Sequence, residues 1–599
     1  MRLALVAALA LALVPAARAG TTTTTNPATQ AGTATTTNPL APPSPVPGEL
    51  QPQLTTERVT RIFLRDPKVA SWLKRYPKNP VTQATFSKGD WTVNVYSGNA
   101  GEIATGTVSD SDGTVVEAWT GAQVAWRMAR GYPGAFGGTK INSYPVWLGF
   151  CAAFLVGLVD WRRPLSLRNL DLLALLAFSV PLWFFNHGHV FASASLVVPV
   201  LVWLLVRCIW VAFSDRPARG ATVWPVWVLA AATVFLAGFR IGLDVRASNV
   251  IDVGYSGVIG AERIVHEGQS PYGHFPQEDN LPKCGPPDGS GEVRDRIQTN
   301  GRCENANPLG DTYGPVAYLA YVPGYLAFGW SGMWDSLPAV KATTIGFDLL
   351  ALVGLALVGR RFGGPRLAAT LAFAWAAWPF TQYAASSNTN DTIGPVLLVF
   401  GFLLVTSDVG RGVFAALSGW TKFASLIVAP LWSGYPEARR PRTLARYWLA
   451  FAVATLAVFF VLLLEPSPLH AARVFWDRTI GFQTARSAPW SIWDWRQYHA
   501  KGLPNLHLVQ QVLEVALVVG AVACAWWPRV RSPLRLAALT AALLIGFQLV
   551  LTYWIYLYLP WFFPFAALAL VAAPGARPGA APAGALDDDD STERALVAA

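Results

Sequence analysis

SNVIDVGYSGVIGAERIVHEGQSPYG, residues 248–273, follows a hydrophobic run near 223–241 that is long enough to cross a membrane. Asp252 stands directly beyond that run, and a Pro271-Tyr272 turn closes the stretch. Glycines between them let a backbone approach a ligand closely. Because a carboxylate suits the role of a general base, the stretch predicts a reactive group where the chain leaves the membrane.

The composition indicates a polytopic membrane protein. Of the 599 residues, 53% are hydrophobic and only 14% are charged, which is too apolar for a soluble protein of this size. The net charge of +10 lies largely in short arginine clusters between apolar runs, where it sets topology and predicts no nucleic-acid partner. The sequence contains no P-loop, HExxH or CxxC motif, which argues against a soluble nucleotide or zinc enzyme.

Residues 1–19 have the pattern of a signal peptide, with a basic start, an apolar core and a small-x-small site at Ala17-Arg18-Ala19. The apolar run is shorter than the roughly 20 residues that a span needs, which favours cleavage over the alternative of an uncleaved anchor. Residues 20–53 are rich in Thr and Pro and are predicted to be a disordered linker. Residues 574–599 are predicted to be a disordered cytoplasmic tail.

Residues 54–142 are predicted to form a small extracytoplasmic α+β domain. Helical spacing runs over 55–76, and ATFSKGDWTVNVYSG (84–98) and EIATGTVSDSDGTVVEAWTG (102–121) alternate as strands do. A helix followed by antiparallel strands that end in a Thr-Gly pair resembles a PepSY-type domain. The alternative is an unassigned α+β domain.

The fold class expected for the rest is mainly α, with about eleven transmembrane helices and one re-entrant pair. Residues 143–222 hold additional transmembrane helices, and 223–573 hold the core. The loops with Arg162 and Arg163 and with Arg216 are basic and are therefore expected in the cytoplasm. That places the N-terminal domain and the loops after residue 241 outside the plasma membrane, and the C-terminus inside.

Two apolar stretches do not fit simple spans. Residues 313–330 are interrupted by prolines and glycines, and are predicted to lie on or dip into the outer face. Residues 412–432 are predicted to form the re-entrant pair, broken within 419–422, because a single span would send the arginines at 439–446 outside. Lys422 in that apolar run is a candidate functional residue, and the alternative is that its ammonium snorkels to the interface.

Three segments are therefore expected outside: 242–337, 385–391 and 466–506. Each is rich in polar and aromatic groups, and together they predict an outward-facing polar cavity. Carboxylates suit proton transfer, cations suit a phosphate, and tryptophans suit sugar faces or lipid. This combination favours a transferase that takes a sugar from a lipid phosphate to a hydroxyl acceptor.

DVGYSGVIGAERIVHEGQSPY (252–272) resembles the first outer loop of the GT-C glycosyltransferases, in particular the actinobacterial polyprenyl-phosphate-sugar-dependent mannosyltransferase type. In that family an Asp beyond a span precedes a Tyr, an amphipathic helix, a Gly and a Pro-Tyr. DTYGPVAYLAYVPGYLAFG, LVGRRFGG and RTIGFQTARSAPWSIWDW resemble later segments, in the family's order over about 240–570. ALSGWTKFASLIVAPLW resembles the segment with a Lys before an apolar helix, although the family often has Lys-x-x-Pro and this chain has Lys422-Phe-Ala-Ser.

The resemblance implies an inverting transfer of a mannose-like sugar from a polyprenyl-phosphate donor to a glycan or glycolipid hydroxyl of the cell envelope. Asp252 would be the base, and its alternatives are a helix cap or a salt bridge with Arg240 or Arg246. Asp244 is the alternative base. Candidate phosphate ligands, otherwise solvated or snorkelling cations, are Lys422, Arg478 and Arg486. Candidate sugar- or acceptor-binding residues are Tyr255, Tyr272, Asn390, Asp391, Trp490 and Trp493, and Asp391 is alternatively a helix N-cap.

Cys284 and Cys303 lie in the first outer segment and are predicted to form a disulfide in an oxidising compartment, the alternative being two free thiols. No cofactor is assigned, and a divalent metal is left open. His187-Gly188-His189 is interpreted as interfacial and not as a metal site.

Two other functions compete with the transferase. A transporter or flippase of a lipid-linked sugar needs access from both faces and often has internal repeats, whereas the polar groups here gather on one side. A non-catalytic membrane scaffold predicts that Asp252 is dispensable.

Overall fold

A computed structural model describes residues 51–130, 134–214, 221–275, 310–330, 337–436, 441–485, 490–530 and 532–571. Several predictions fall outside these ranges: the signal peptide 1–19, nearly all of the linker 20–53, the Cys284–Cys303 pair, Arg486 and the tail 574–599. The described residues divide into two compact units. The small unit lies within Met1–Val124 and Arg496–Pro504, and the large unit within Ala125–Trp495 and Asn505–Ala599.

Between residues 51 and 120, the small unit contains two α-helices and a four-stranded antiparallel sheet in the order β1-β2-β3-β4. Its elements are α1 (Thr56–Arg65), α2 (Pro67–Leu73), β1 (Val81–Ser87), β2 (Asp90–Tyr96), β3 (Glu102–Ser109) and β4 (Val115–Thr120). α3 (Ala122–Arg130) follows the sheet. Alternate side chains of β2 are buried, as period-two patterning requires.

The core of the small unit lies between α1, α2 and the sheet. Val59 and Phe63 of α1 and Val69 of α2 are fully buried with Val93 and Val95 of β2. Asp110, in the turn after β3, accepts hydrogen bonds from the amides of 53 and 54, at 2.6 and 2.9 Å, and from the Trp91 indole at 2.8 Å. The turn therefore fixes the chain that enters α1.

A distant segment, Arg496–Pro504, completes the small unit. The Tyr76 hydroxyl donates to the carbonyl of Tyr498 at 2.8 Å, and Arg75 Nη1 donates to the carbonyl of Lys501 at 2.8 Å. The amide of Lys501 donates in return to the carbonyl of Arg75 at 3.2 Å. Part of the predicted third outer segment is thus built into the N-terminal domain.

The large unit is helical, and its helices follow in chain order. They are α4 (Gly138–Ile141), α5 (Tyr144–Leu158), α6 (Leu167–Ala177), α7 (Ser179–Asn186), α8 (Val190–Ser214), α9 (Val226–Ala247), α10 (Asp252–Glu262), α11 (Pro315–Leu319), α12 (Val322–Phe328), α13 (Pro338–Ala377), α14 (Pro379–Ser386), α15 (Ile393–Leu403), α16 (Asp408–Lys422), α17 (Ala429–Ser433), α18 (Pro441–Val458), α19 (Pro468–Trp476), α20 (Phe482–Ala485), α21 (His507–Ala523), α22 (Pro533–Val550) and α23 (Phe563–Val571). The main packed pairs are α8 with α22, α9 with α13, α15 with α16 and α16 with α18.

Within the described ranges, six helical stretches are long and apolar enough to cross a membrane: Leu167–Asn186, Val190–Ser214, Val226–Ala247, Pro338–Ala377, Pro441–Leu464 and Pro533–Val550. Pro338–Ala377 is broken at Gly364, where φ is +73°, so α13 consists of two helices joined at that residue. Four shorter helices of 10–17 residues are also apolar: Tyr144–Leu158, Asn390–Leu403, Ala424–Ser433 and His507–Ala523. The chain is thus a mainly α-helical membrane protein. The count of eleven spans and the sides of the termini stay predictions.

The structure breaks the two irregular stretches in different ways. Residues 313–330 contain the two short helices α11 and α12, with Tyr321 between them. The break predicted within 419–422 is wrong by one residue, because α16 continues to Lys422 with helical bonds such as Phe423 N to Gly419 O at 2.8 Å. The helix ends at Phe423, whose φ of +47° is left-handed, and a 3₁₀ turn follows.

Candidate functional site

A buried ion pair lies where two short elements of the large unit meet. Lys422 is the last residue of α16, and Asp391 lies in the 3₁₀ turn Asn390–Thr392 before α15. Lys422 Nζ is 2.6 Å from Asp391 Oδ1, and their side chains are 13% and 1% exposed. The Trp561 indole donates to the same oxygen at 2.9 Å, and the Thr389 hydroxyl donates to Oδ2. Asp391 is therefore held by donors on both of its oxygens.

Aromatic rings surround the ammonium of Lys422. Its Nζ lies 5.3 Å from the ring centroid of Tyr313, 5.2 Å from that of Tyr558 and 5.9 Å from that of Trp561. The last two rings stack with centroids 4.2 Å apart. Such contacts stabilise a cation by about 0.5–2 kcal/mol each, depending on solvation. We call Lys422, Asp391, Tyr313, Tyr558 and Trp561 the Lys422 cage.

The stretch at 248–254 lies along the segment that leads into Asp391. The amide of Asn249 donates to the carbonyl of Ser386 at 3.0 Å, and the amide of Ile251 donates to that of Ser387 at 3.3 Å. The Asn388 side chain donates back to the carbonyl of Asn249 at 3.1 Å. A Cβ at Gly254 would lie 2.4 Å from the carbonyl oxygen of Asn388, so only glycine permits this approach.

Asp252 begins α10, and its side chain is exposed. Its Oδ1 accepts the amide of Val253 at 2.9 Å. The expected alternative of a salt bridge with Arg240 is wrong, because Arg240 Nε pairs with Asp348 at 2.9 Å inside the helices. α10 packs against the turn Asn390–Thr392, so an accessible carboxylate and the Lys422 cage belong to one connected region.

Asp244, the alternative base, is buried at the end of α9. Its Oδ1 accepts the Gln382 amide at 2.9 Å and the Ser386 hydroxyl at 2.7 Å. These bonds join α9 to α14 and leave the carboxylate 1% exposed. Its geometry is that of a helix-joining group.

Arg478 pairs with a carboxylate that sequence reasoning did not single out. Its Nε lies 2.8 and 2.7 Å from the two oxygens of Asp311, and its Nη2 lies 2.6 Å from Oδ1. Asp311 is fully buried and also accepts the amide of Gly273 at 2.8 Å. Arg486, the other arginine proposed for the phosphate, lies outside the described residues.

The aromatic residues proposed to contact sugar are buried. Tyr255 packs edge-on against Trp330, and Tyr272 packs against Tyr318 and Phe475. Burial, and then the nearby Asp311 charge, raise the pKa of Tyr272 well above its ordinary value. Its hydroxyl therefore stays protonated, and it donates to the carbonyl of Tyr313 at 2.9 Å.

The two tryptophans of the third outer segment are also buried, each 7% exposed. Trp490 packs against Phe185 with centroids 5.5 Å apart, and the Trp493 indole donates to the carbonyl of Leu549 at 2.8 Å. Both side chains thus pack against the helices and do not present an exposed ring face to a sugar.

Several buried polar atoms near Asp391 have no hydrogen-bond partner among the residues that the structure describes. They are Tyr321 Oη, Asn388 Oδ1, Asn390 Oδ1 and Thr392 Oγ1. Buried polar groups are normally paired, so these atoms can accept a ligand group or water. Asn390, a predicted sugar ligand, is one of them.

Comparisons with known proteins give little support of their own. No protein-family model matches the chain, and none of the curated proteins matches it. One similar solved structure is the crystal structure of ArnT from Cupriavidus metallidurans bound to undecaprenyl phosphate, with a TM-score of 0.36 and 17% sequence identity. The match covers 58% of this chain and 59% of that chain, less than two thirds of its length. A likeness this weak establishes neither fold nor activity for this chain.

Sequence reasoning missed Tyr558, Trp561 and Asp311. The first two lie three residues apart in a 3₁₀ turn, Tyr556–Trp561, so they project together. An aromatic pair of that spacing resembles an interfacial belt in sequence. Asp311 stands in the Gly- and Pro-rich GDTYGP, which reads as a turn. Over the described ranges, no cluster of three or more His, Cys, Asp or Glu side chains could hold a metal ion.

Proposed function

We propose that this chain is an integral membrane glycosyltransferase of the GT-C kind. It moves a sugar, mannose-like by the sequence resemblance, from a polyprenyl-phosphate donor to a hydroxyl of a cell-envelope acceptor. The reaction takes place at the extracytoplasmic face of the plasma membrane, with the N-terminal domain on the same side and the C-terminus in the cytoplasm.

One observation carries the proposal. An exposed carboxylate, Asp252, begins a helix that packs against the turn holding Asp391, and that turn pairs with a caged lysine ammonium. A general base and a cation in one region are what transfer from a phosphate-linked sugar to a hydroxyl requires. A scaffold requires neither of them.

The chemistry follows from these two groups. Asp252 takes the proton of the acceptor hydroxyl as that oxygen attacks the anomeric carbon. The bond between the anomeric carbon and the phosphate oxygen breaks on the opposite face, which inverts the configuration. The polyprenyl phosphate leaves with the bonding electrons, and the Lys422 ammonium stabilises the charge that develops on it.

The Lys422 cage suits a phosphate better than a neutral ligand. A lysine ammonium is a compact point charge that binds phosphate without a fixed fork geometry. Asp391 and the aromatic rings keep that charge at one place while it is 13% exposed. The ligand is then met by a cation whose position is set before binding.

The test is incubation of the purified full-length protein with labelled polyprenyl-phosphate sugars and a panel of acceptor glycans. We expect a labelled acceptor whose new linkage has the anomeric configuration opposite to that of the donor, as read by NMR. In vesicles, movement of labelled donor across the bilayer with no product would instead identify a flippase. Neither product nor movement would favour the scaffold.

A further inference from the structure

The residues around Tyr313 show how its ring reaches Lys422. The amide of Tyr313 donates to the Tyr318 hydroxyl at 3.3 Å, and its carbonyl accepts the Tyr272 hydroxyl at 2.9 Å. The next amide, that of Gly314, donates to the carbonyl of Thr421 at 3.2 Å. This last contact places the segment directly beside Lys422.

Gly314 makes that contact possible. A Cβ at this position would lie 1.9 Å from the carbonyl oxygen of Trp420 and 2.5 Å from its carbonyl carbon. Both atoms belong to backbone and cannot move aside as a side chain can. The segment 313–314 therefore lies against the last turn of α16 at a distance that leaves no room for a Cβ at Gly314.

Asp311, two residues earlier, anchors this segment from the other side. Its fully buried carboxylate receives the Arg478 guanidinium on both oxygens and the amide of Gly273 on Oδ2. A buried carboxylate that loses its cation is strongly destabilised. Loss of the Arg478 charge is therefore expected to disfavour the present position of this segment.

Arg478 is itself held by its own helix. It lies in the π-helical turn Asp477–Gly481 that continues α19, where the Thr479 hydroxyl donates to the carbonyl of Phe475 at 2.6 Å. Phe475 packs edge-on against Tyr272 with centroids 5.0 Å apart. α19 and the turn that continues it thus contact two segments: Phe475 packs against Tyr272, and Arg478 pairs with Asp311.

We propose that the Asp311–Arg478 ion pair is a positioning element that holds the Tyr313 ring over the Lys422 ammonium. Arg478 then acts on the leaving phosphate through Tyr313 and Lys422 rather than by touching it. This role rests on the proposed function for its effect on catalysis, whereas the positioning itself is independent of any substrate.

The test measures how fast the Lys422 amine reacts with a small amine-acylating reagent in the full-length protein, read by peptide mass spectrometry. Tyr313→Leu removes the ring, and Arg478→Gln and Asp311→Asn break the pair. We expect each to raise Lys422 labelling by about fivefold, as loss of one cation–aromatic contact would. Arg473→Gln, an exposed arginine of the same helix, is the matched control and should change nothing.

The double variant Arg478→Gln/Asp311→Asn sharpens the test, because two partners of one pair should give no more effect together than either gives alone. Additive effects, or unchanged Lys422 labelling in both single variants, would overturn the proposal. Lys341, which is half-buried in the large unit, is the internal standard for unfolding. If Arg478→Gln also raises labelling of the internal standard, the isosteric Asp311→Asn is the deciding variant. The proposal then requires that Asp311→Asn raises labelling at Lys422 and leaves the internal standard unchanged.

An activity arm separates this proposal from the proposed function. The same variants should raise the donor KM, while Arg473→Gln leaves it unchanged. If the labelling pattern holds but the wild-type protein transfers no sugar, the proposed function fails and the positioning role stands. If transfer occurs but Lys422 labelling ignores Arg478 and Asp311, the positioning role fails alone.

Discussion

Two buried ion pairs of the large unit differ in how completely they are closed. Arg240 is fully buried and donates to both oxygens of Asp348 and to the Thr381 hydroxyl, while the Trp375 indole also donates to Asp348. Lys422 has Asp391 on one side and aromatic faces around it, and it keeps 13% of its side chain exposed. The closed pair joins helices, whereas the open pair leaves part of its cation exposed, as the proposed phosphate-binding role requires.

The largest expected effect falls on the closed pair. Arg240→Gln leaves the Asp348 carboxylate buried without its cation, so we expect the free energy of unfolding to fall by about 3–5 kcal/mol. The loss of stability is measured as a decrease in the temperature at which half of the purified protein is lost from the folded peak in size-exclusion chromatography. Arg246→Gln, an exposed arginine of the same helix, is the control and should match the wild type. Equal stability of both variants would contradict a structural role for the pair.

The open pair should respond in activity more than in stability. Lys422→Met removes the charge but keeps the length, and the buried Asp391 carboxylate keeps a donor on each oxygen, Trp561 and Thr389, whereas Asp348 without Arg240 keeps only Trp375 among the described residues. The loss of stability should therefore be smaller than in Arg240→Gln. We expect kcat/KM for the polyprenyl-phosphate donor to fall by about a hundredfold, comparable to the loss of one transition-state donor.

Lys341→Met is the matched control for the open pair, since Lys341 donates to the carbonyl of Val245 and lies outside the Lys422 cage. If Lys422→Met unfolds as readily as Arg240→Gln and transfers sugar normally when folded, then both ion pairs are structural and Lys422 has no catalytic role.

A smaller effect is expected inside the Lys422 cage. Trp561→Phe keeps a ring near Lys422 but removes the indole donor to Asp391 Oδ1. Hydrogen bonds to charged groups contribute about 1.5–3 kcal/mol, but the indole bonds Asp391 and affects the position of Lys422 only indirectly. We therefore expect the donor KM to rise by about fivefold. Steady-state kinetics over a range of donor concentrations would measure it. A lower kcat with unchanged KM would instead place Trp561 at the reacting atoms.

The smallest effect concerns the small unit and pH. Burial alone would raise the pKa of Asp110, but the amides of Gln53 and Leu54 and the Trp91 indole outweigh it, and the pKa of Asp110 lies below its ordinary value. The hydrogen bonds to the ionised Asp110 carboxylate stabilise the folded state in full above the unfolded pKa of about 3.9. This stabilisation is lost as the pH falls through the lower pKa of the folded state. Protection of the Gln53 and Leu54 amides, corrected for intrinsic exchange, should therefore drop below about pH 4. Asp110→Asn should show no such pH-dependent drop, and an equal drop in that variant would exclude Asp110.

Much of the fold could be predicted from local pattern. Alternation at 90–96 predicted a strand, and the structure has β2 there. Apolar runs predicted helices near 190–213 and 223–241, close to α8 and α9. The break predicted within 419–422 falls at Phe423, directly after that stretch, because the Gly419 carbonyl still accepts the helical bond of the Phe423 amide.

The candidate site was predictable only in part. A lysine in an apolar run and an acid beyond a span are visible as exceptions to local rules, which is why Lys422 and Asp252 could be singled out. The partners of Lys422 come from residues near 313, 391 and 560, and no local pattern joins such distant positions. Tyr255 and Tyr272 were predicted as ligands because the residues next to them in sequence do not show that distant segments bury their rings.

In the proposed reaction, Asp252 removes the acceptor proton beside the Lys422 ammonium. The most direct test is the turnover of Asp252→Asn, which keeps size and hydrogen bonding but removes basicity. We predict a fall of at least about a hundredfold with donor KM and folding retained, and full activity for Glu267→Gln, a carboxylate of the same stretch that pairs with Arg263. Wild-type turnover in Asp252→Asn would exclude Asp252 as the base, and a loss confined to Asp244→Asn would assign that role to Asp244.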